Sequence, residues 1–176
     1  MKKTLSLLLA LVMVLGLAAC GKNTDTPQGS VVNVESDPTA QIANPWVDHD
    51  SLEAACAAAN IDLKAPEFFF SDDEVLYRTM DQDIIEIQYV GADAETFTIR
   101  KGASEADISG DYTVYDYAGD VTVNDIPVTV KGASEAELFA ASWVQDGHFY
   151  YVVSTIVIPS DAMLSTISEL ISMNAQ

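Results

Sequence analysis

The chain has 176 residues, 49% of them hydrophobic, and its 27 Asp and Glu stand against 8 Lys and Arg, a formal charge of −19. A chain of that sign repels nucleic acid and anionic headgroups, so nucleic acid is excluded as an expected partner. Two cysteines, Cys20 and Cys56, are too few for a disulfide framework, so the core alone must hold the fold.

The N-terminus reads as an export signal. Lys2 and Lys3 give a basic start, residues 5–17 an apolar run, and Ala18 and Ala19 are small residues before Cys20. The run is shorter than the roughly 20 residues that a membrane span needs. Leu17-Ala18-Ala19-Cys20 resembles the lipobox of bacterial lipoproteins. That resemblance implies a signal peptide over 1–19, cleavage before Cys20, and acyl chains such as palmitate on that cysteine. The protein is then expected to be lipid-anchored on the extracytoplasmic face of the cell membrane. Two or more chains, at about 0.8 kcal/mol per buried CH₂, hold a protein firmly on a bilayer. Removing residues 1–19 removes two lysines and leaves a charge of 6 − 27 = −21.

Residues 20–45 read as the lipidated cysteine and a disordered linker. They are polar, with Pro27, Pro38 and Pro45 and no sustained period. As a flexible coil they would span about 25–30 Å. Val31, Val32 and Val34 are the exception and suit a short strand. A single domain is expected over 46–176. Asp50, with Glu53 three residues on, predicts a helix N-cap. Leu52, Ala55, Cys56 and Ala59 share one helical face, and Asn60 suits the left-handed residue that closes the helix.

From Val75 the period is two. Strands are expected over 75–80, 85–89, 97–99, 112–117, 121–123, 126–131, 138–144 and 149–158. Asn124-Asp125 and Asp146-Gly147 are tight-hairpin pairs. The short links require antiparallel pairing. A second helix is expected after Pro159, with Ser160 as N-cap and an apolar stripe of Met163, Leu164, Ile167, Leu170 and Ile171. The expected class is α+β: a single antiparallel β-sheet of about six to eight strands, covered by an N-terminal and a C-terminal helix.

Lys101-Gly102-Ala103-Ser104-Glu105-Ala106 returns unchanged at 131–136. The plainer reading is a strand exit, with Lys at the edge, Gly turning, and Ser and Glu capping one helical turn. The functional reading is a pair of matched binding loops.

No H-E-x-x-H, G-x-S-x-G, P-loop or C-x-x-C motif occurs, so no catalytic residue, metal or cofactor is expected. His49 and His148 read as exposed and idle, and Cys56, among alanines, as a small apolar side chain. The acidic groups at 48/50, 72–74 and 81/83 lack the calcium-loop pattern. Tyr115, Tyr117, Trp143, Tyr150 and Tyr151 form the candidate binding face, although tyrosine also suits half-buried strand positions without any ligand.

Asn44-Pro45-Trp46, Ser51-Leu52-Glu53-Ala54-Ala55 and Ile61-Asp62-Leu63-Lys64-Ala65-Pro66 resemble the opening of the DUF4367-type domain. Ile85-Glu86-Ile87-Gln88-Tyr89, Thr98-Ile99-Arg100-Lys101, Ile108-Ser109-Gly110-Asp111-Tyr112 and Ala140-Ala141-Ser142-Trp143 extend the resemblance over about 44–174. That family occurs in lipoproteins and anti-sigma-factor-like proteins of Gram-positive bacteria, chiefly clostridia, and usually has Gly where Asn60 stands. The resemblance implies an extracytoplasmic sensing or interaction domain and carries no catalytic residues. The expected function is a membrane-tethered, non-catalytic binding, interaction or sensing module for an unknown envelope protein or small ligand. The alternative is a small-molecule or peptide-binding receptor lipoprotein, and behind it an envelope hydrolase.

Overall fold

A computed structural model describes residues 44–67, 69–70 and 74–176. The leader, Cys20, the linker valines and the pair Asp72-Asp73 lie outside the described residues. Among the described residues, eight strands form one sheet: β1 (Trp46–His49), β2 (Glu74–Met80), β3 (Ile84–Val90), β4 (Thr96–Gly102), β5 (Tyr117–Val123), β6 (Ile126–Ser134), β7 (Glu137–Gln145) and β8 (His148–Pro159). Their order is β1-β2-β3-β4-β8-β7-β6-β5, and every neighbouring pair is antiparallel. Two four-stranded meanders therefore meet along β4 and β8. The α-helices among the described residues are α1 (Leu52–Ala59) and α2 (Ser160–Met173).

Turn chemistry explains the hairpins. Asn124 and Asp125 (φ 48° and 65°) and Asp146 and Gly147 (φ 50° and 78°) all take the positive φ that a two-residue type I′ turn demands. The helix caps are shifted by one residue from expectation. Ser51, not Asp50, caps α1, because its hydroxyl stands three residues before the Ala54 N–H and accepts from it at 3.2 Å. Asn60 closes α1 in the left-handed region (φ 54°), as its type predicts. At α2 the cap position is held by Pro159, and Ser160 is already helical. Asp161 compensates by accepting from the Ala162 N–H at 2.9 Å at the positive end of the helix dipole.

The two-residue period sorts the sheet into an apolar and a polar face. Ile85, Ile87 and Tyr89 of β3, Phe97 and Ile99 of β4, Tyr150 and Val152 of β8, Ala141 and Trp143 of β7, and Val128 and Val130 of β6 share one buried cluster. Ala55 and Ala59 of α1 and Met163, Ile167, Leu170 and Ile171 of α2 belong to that same cluster. Each large side chain in it contributes about 1.5–3 kcal/mol through burial. α1 lies against β1, β2 and β3, and α2 against β5, β7 and β8.

Two strand expectations need correction. β1 had no period long enough to announce it. The expected strand over 112–117 is absent: β5 begins only at Tyr117. Within 107–113 the amides of Ser109, Asp111 and Thr113 are taken by the side chains of Asp107, Ser109 and Asp111, each two residues back. Local side-chain bonds have displaced the ladder.

Candidate functional site

On the polar face, Asp48, Arg78, Glu86, Arg100, Tyr151, Ser142, Thr129 and Asp120 stand in one cross-strand row, each in register with the next. At one end, Thr129 donates to Asp120 at 2.8 Å. Near the other, Glu86 is 1% exposed and pairs with two arginines. Arg78 donates to Glu86 Oε1, and Arg100 donates Nε and Nη2 to Oε2 at 2.9 and 2.5 Å. The Trp46 ring lies 5.2 Å from both guanidinium carbons. One carboxylate between two guanidiniums leaves a net positive charge, and the indole face offsets part of it.

Arg100 carries the next layer. Its Nη1 donates to the carbonyls of Ile108 (3.0 Å) and Ser109 (2.6 Å). Those carbonyls belong to the connection 103–116, which must pass from central β4 to edge β5. Lys131 of β6 pins the same connection farther along, through Asp111 Oδ2 at 3.2 Å. Tyr115 closes it down, with its ring 6.3 Å from Phe139 and 5.6 Å from the Lys131 ammonium. Connection 103–116 is thus a strap tied to the polar face. Between two of its ties it holds Tyr112 and Val114 outward, 95% and 96% exposed. An open cleft of about 340 Å³ lies under it, lined in part by Tyr115, Asp116, Phe139 and Val153.

The ties set the acid–base behaviour. Burial opposes the charge of Asp111, but hydrogen bonds from Thr113 and Lys131 outweigh it and hold this carboxyl below its ordinary range. Burial pushes the Tyr151 hydroxyl up, and the neighbouring Tyr115 and Asp111 add to that. Burial, with Asp146 second, pushes Tyr150 up to about 12.

The expected aromatic face is divided. Trp143 (3% exposed) and Tyr150 (1%) stack at 5.1 Å on the apolar side, inside the core. Tyr117 packs against that core as well. Tyr151 and Tyr115 belong to the polar side, beneath or within the strap. Strand alternation separates Tyr150 from Tyr151, and burial removes Trp143 from any surface. Sequence reading missed Trp46 and the Arg78–Glu86–Arg100 group, although the alternating charges of three successive strands are a usable signal. It also read the histidines as idle. His49 Nε2 meets Thr79 Oγ1 at 2.9 Å and His148 Nδ1 meets the Gly102 carbonyl at 2.9 Å, so both serve as structural ties.

The positive charges are spent internally. Residues 44–176 contain five cations and 24 carboxylates. Arg78, Arg100, Lys101 and Lys131 each sit over an aromatic ring, and Lys64 is the one exposed cation among the described residues. The remaining surface charge is therefore almost wholly carboxylate. Glu105, Asp107 and Asp116 stand exposed along the strap beside Tyr112 and Val114.

A larger open groove, about 810 Å³, runs beside α1 and residues 60–65, with Leu52, Cys56 and Met173 in its wall. Burial pushes the Cys56 thiol up, away from the thiolate that a nucleophile needs. Its Sγ points to the Leu63 carbonyl at 3.9 Å. Among the described residues no three His, Cys, Asp or Glu side chains converge to hold a metal ion, and no described helix is long and apolar enough to cross a membrane. No family model matches the chain, and comparison with curated proteins and with solved structures finds no similar protein.

Proposed function

We propose that this chain is a lipid-anchored, extracytoplasmic module whose work is non-catalytic binding, and that the strap is its recognition element. In this reading Cys20 carries the acyl chains and 21–45 is the tether. The two helices together cover the apolar face of the sheet, which leaves the polar face and its strap for a partner. The resemblance to lipoprotein-borne DUF4367-type domains supports the compartment and the sensing or interaction role. The observation that carries the reading is the pairing of two nearly fully exposed apolar side chains, Tyr112 and Val114, with the Asp111–Lys131 ion pair just before them and the packing of Tyr115 against Phe139 and Lys131 just after them. A pinned loop loses little conformational entropy on binding, and aromatic anchors commonly dominate interfaces. The carboxylates beside them call for a basic rim on an envelope protein partner.

The test is photocrosslinking in intact cells, with the reactive group at position 112 and, as control, at exposed position 93. A discrete adduct from 112 alone is expected, lost when Val114 is changed to Asp. Equal labelling from both positions overturns the strap as recognition element. The tether is tested separately. Mass spectrometry is expected to find a diacylated Cys20 N-terminus, and Cys20→Ser to release the protein from membranes. An intact leader on a cytosolic protein overturns the compartment.

The groove beside α1 favours the receptor as a second reading. Its volume lies within the range of about 300–1,000 Å³ typical of ligand sites.

A further inference from the structure

The two margins of the sheet are finished differently. β1 is four residues long and follows Pro45, and short strands and prolines both blunt an edge. β5 is seven residues long, Tyr-Ala-Gly-Asp-Val-Thr-Val, with neither lysine nor proline. Among the described residues it pairs with β6 alone.

Register shows which of its backbone groups are free. In an antiparallel pair, facing residues alternate between exchanging both backbone hydrogen bonds and exchanging none. The residues that flank a two-residue type I′ turn form a bonded pair. Val123 and Ile126 flank Asn124-Asp125, so Val123, Val121 and Gly119 bond to β6. Thr122, Asp120 and Ala118 do not, and Pro127, which has no N–H to give, stands opposite Thr122. The N–H and C=O groups of Ala118, Asp120 and Thr122 therefore point away from the sheet, and all three residues are exposed. Tyr117, Val121 and Val123 pack against the core, so alternation puts the side chains of Ala118, Asp120 and Thr122 on the polar face.

The charge around this edge has one sign. Asp116 precedes β5, Asp120 stands in its middle and Asp125 follows it, all exposed. Lys131, the cation opposite Ala118 on β6, is paired with Asp111. A second copy added antiparallel about the middle of β5 would set Asp120 against Asp120, and like charges directly opposite are destabilising. The chain's own linker brings Glu35 and Asp37 beside its valines. A segment with basic side chains meets neither penalty.

We propose that the free edge of β5 pairs, as an added strand, with an extended segment of a protein partner that carries lysine or arginine. Backbone hydrogen bonds supply the affinity, and a cation beside Asp120 selects the segment. This inference rests on the binding reading above for the existence of a partner, but not on Tyr112 or Val114.

The test is amide hydrogen exchange, read residue by residue by NMR on the mature chain, with and without the peptide acetyl-Lys-Val-Lys-Val-Lys-Val-Lys-amide. The amides of Ala118, Asp120 and Thr122 are expected to exchange freely in the chain alone and to slow at least about tenfold with the peptide. The same peptide with proline as its central residue keeps the charge and is expected to protect none of them. Thr122→Pro removes an outward N–H and no bond to β6. It is expected to abolish protection at Ala118 and Asp120 while Gly119 and Val121 stay protected. If that variant does not fold, Asp120→Lys, which leaves the backbone alone, decides, with peptide affinity expected to fall at least about tenfold. Val114→Asp is expected to leave the protection intact, and its loss there places the peptide on the strap and overturns the edge. The crosslink from position 112 tests the strap separately. Slow exchange at the three amides in the chain alone means that the linker or a second copy already holds the edge, which also overturns the inference. So does equal protection by the proline peptide, the mark of diffuse attraction to an acidic surface, and so does protection that survives Thr122→Pro or Asp120→Lys.

Discussion

At 101–106 the hexapeptide Lys-Gly-Ala-Ser-Glu-Ala leaves the sheet after two residues, whereas at 131–136 the same six residues stay in it for four. The first copy ends β4. The second runs on through Ser134, turns at Glu135-Ala136, and enters β7. Even the lysines face opposite ways. Ile99 belongs to the apolar cluster, so Lys101, two residues on, turns to the core side, over Tyr150. Val130 belongs to it too, so Lys131, one residue on, turns to the polar side, toward Asp111 and Tyr115. The glycines differ as well. A Cβ at Gly102 would stand 3.0 Å from the Ile108 side chain, but one at Gly132 would stand 2.0 Å from the Glu137 backbone oxygen, at a bulge between β6 and β7. Identity over six residues thus fixes neither face nor turn. The parity of the preceding strand sets the face, and the pattern of the next segment sets the exit: 137–145 alternates and can pair at once, whereas 107–113 ties up its own amides.

Substitutions can break this contrast. Gly132→Ala is expected to destabilise most, by ~3 kcal/mol or more, because backbone must move. Denaturant unfolding measures it, and a loss below ~1 kcal/mol would mean that the bulge is plastic. Lys101→Ala is expected to cost about 2–4 kcal/mol, since it opens a cavity and orphans the Asp62 carbonyl. Lys131→Ala, at a side chain 30% exposed, should cost ~1 kcal/mol or less. Equal losses would show that the two lysines are equivalent after all.

Stability against pH sharpens the same contrast. Tyr150, beneath Lys101, has its folded pKa raised from 10.0 to about 12. Between those values the folded chain keeps a proton that the unfolded chain has lost. Stability therefore falls there as pH rises, by up to ~1.4 kcal/mol per unit. Tyr150→Phe should flatten that slope. Asp111, beside Lys131, has a lowered pKa. Its contribution is complete above the unfolded value of 3.8 and is lost as pH falls from there through the folded value, and Asp111→Asn should remove that acid limb. Gly102→Ala is expected to cost as little as Lys131→Ala, ~1 kcal/mol or less, since the Ile108 side chain can shift.

Periodicity exposed much of the fold and little of the site. α1 and α2 follow their apolar spacing, with Ala55, Ala59, Met163, Ile167, Leu170 and Ile171 buried as expected. Asn124-Asp125 and Asp146-Gly147 named their hairpins because few residue pairs accept two positive φ values in succession. Strand order was not legible, because nothing local records that β8 lies beside β4. Glu86 looked solvent-bound beside Ile85 and Ile87, and only its register with Arg78 and Arg100 explains its burial. Tyr112 has a β-forming type, yet the carboxylates and hydroxyls two residues apart upstream of it decided otherwise.

The central pairing of β4 with β8 joins residues 97–101 to residues 150–154. For a polypeptide that emerges N-terminus first, the inner seam is the last to be sewn. The first meander waits with an unsatisfied margin until nearly the whole length has arrived, a period in which it can adhere to a neighbour's margin instead. Nascent forms halted before residue 148 are expected to stay protease-sensitive and to self-associate, and resistance to proteolysis at that length would show that the early meander stands alone.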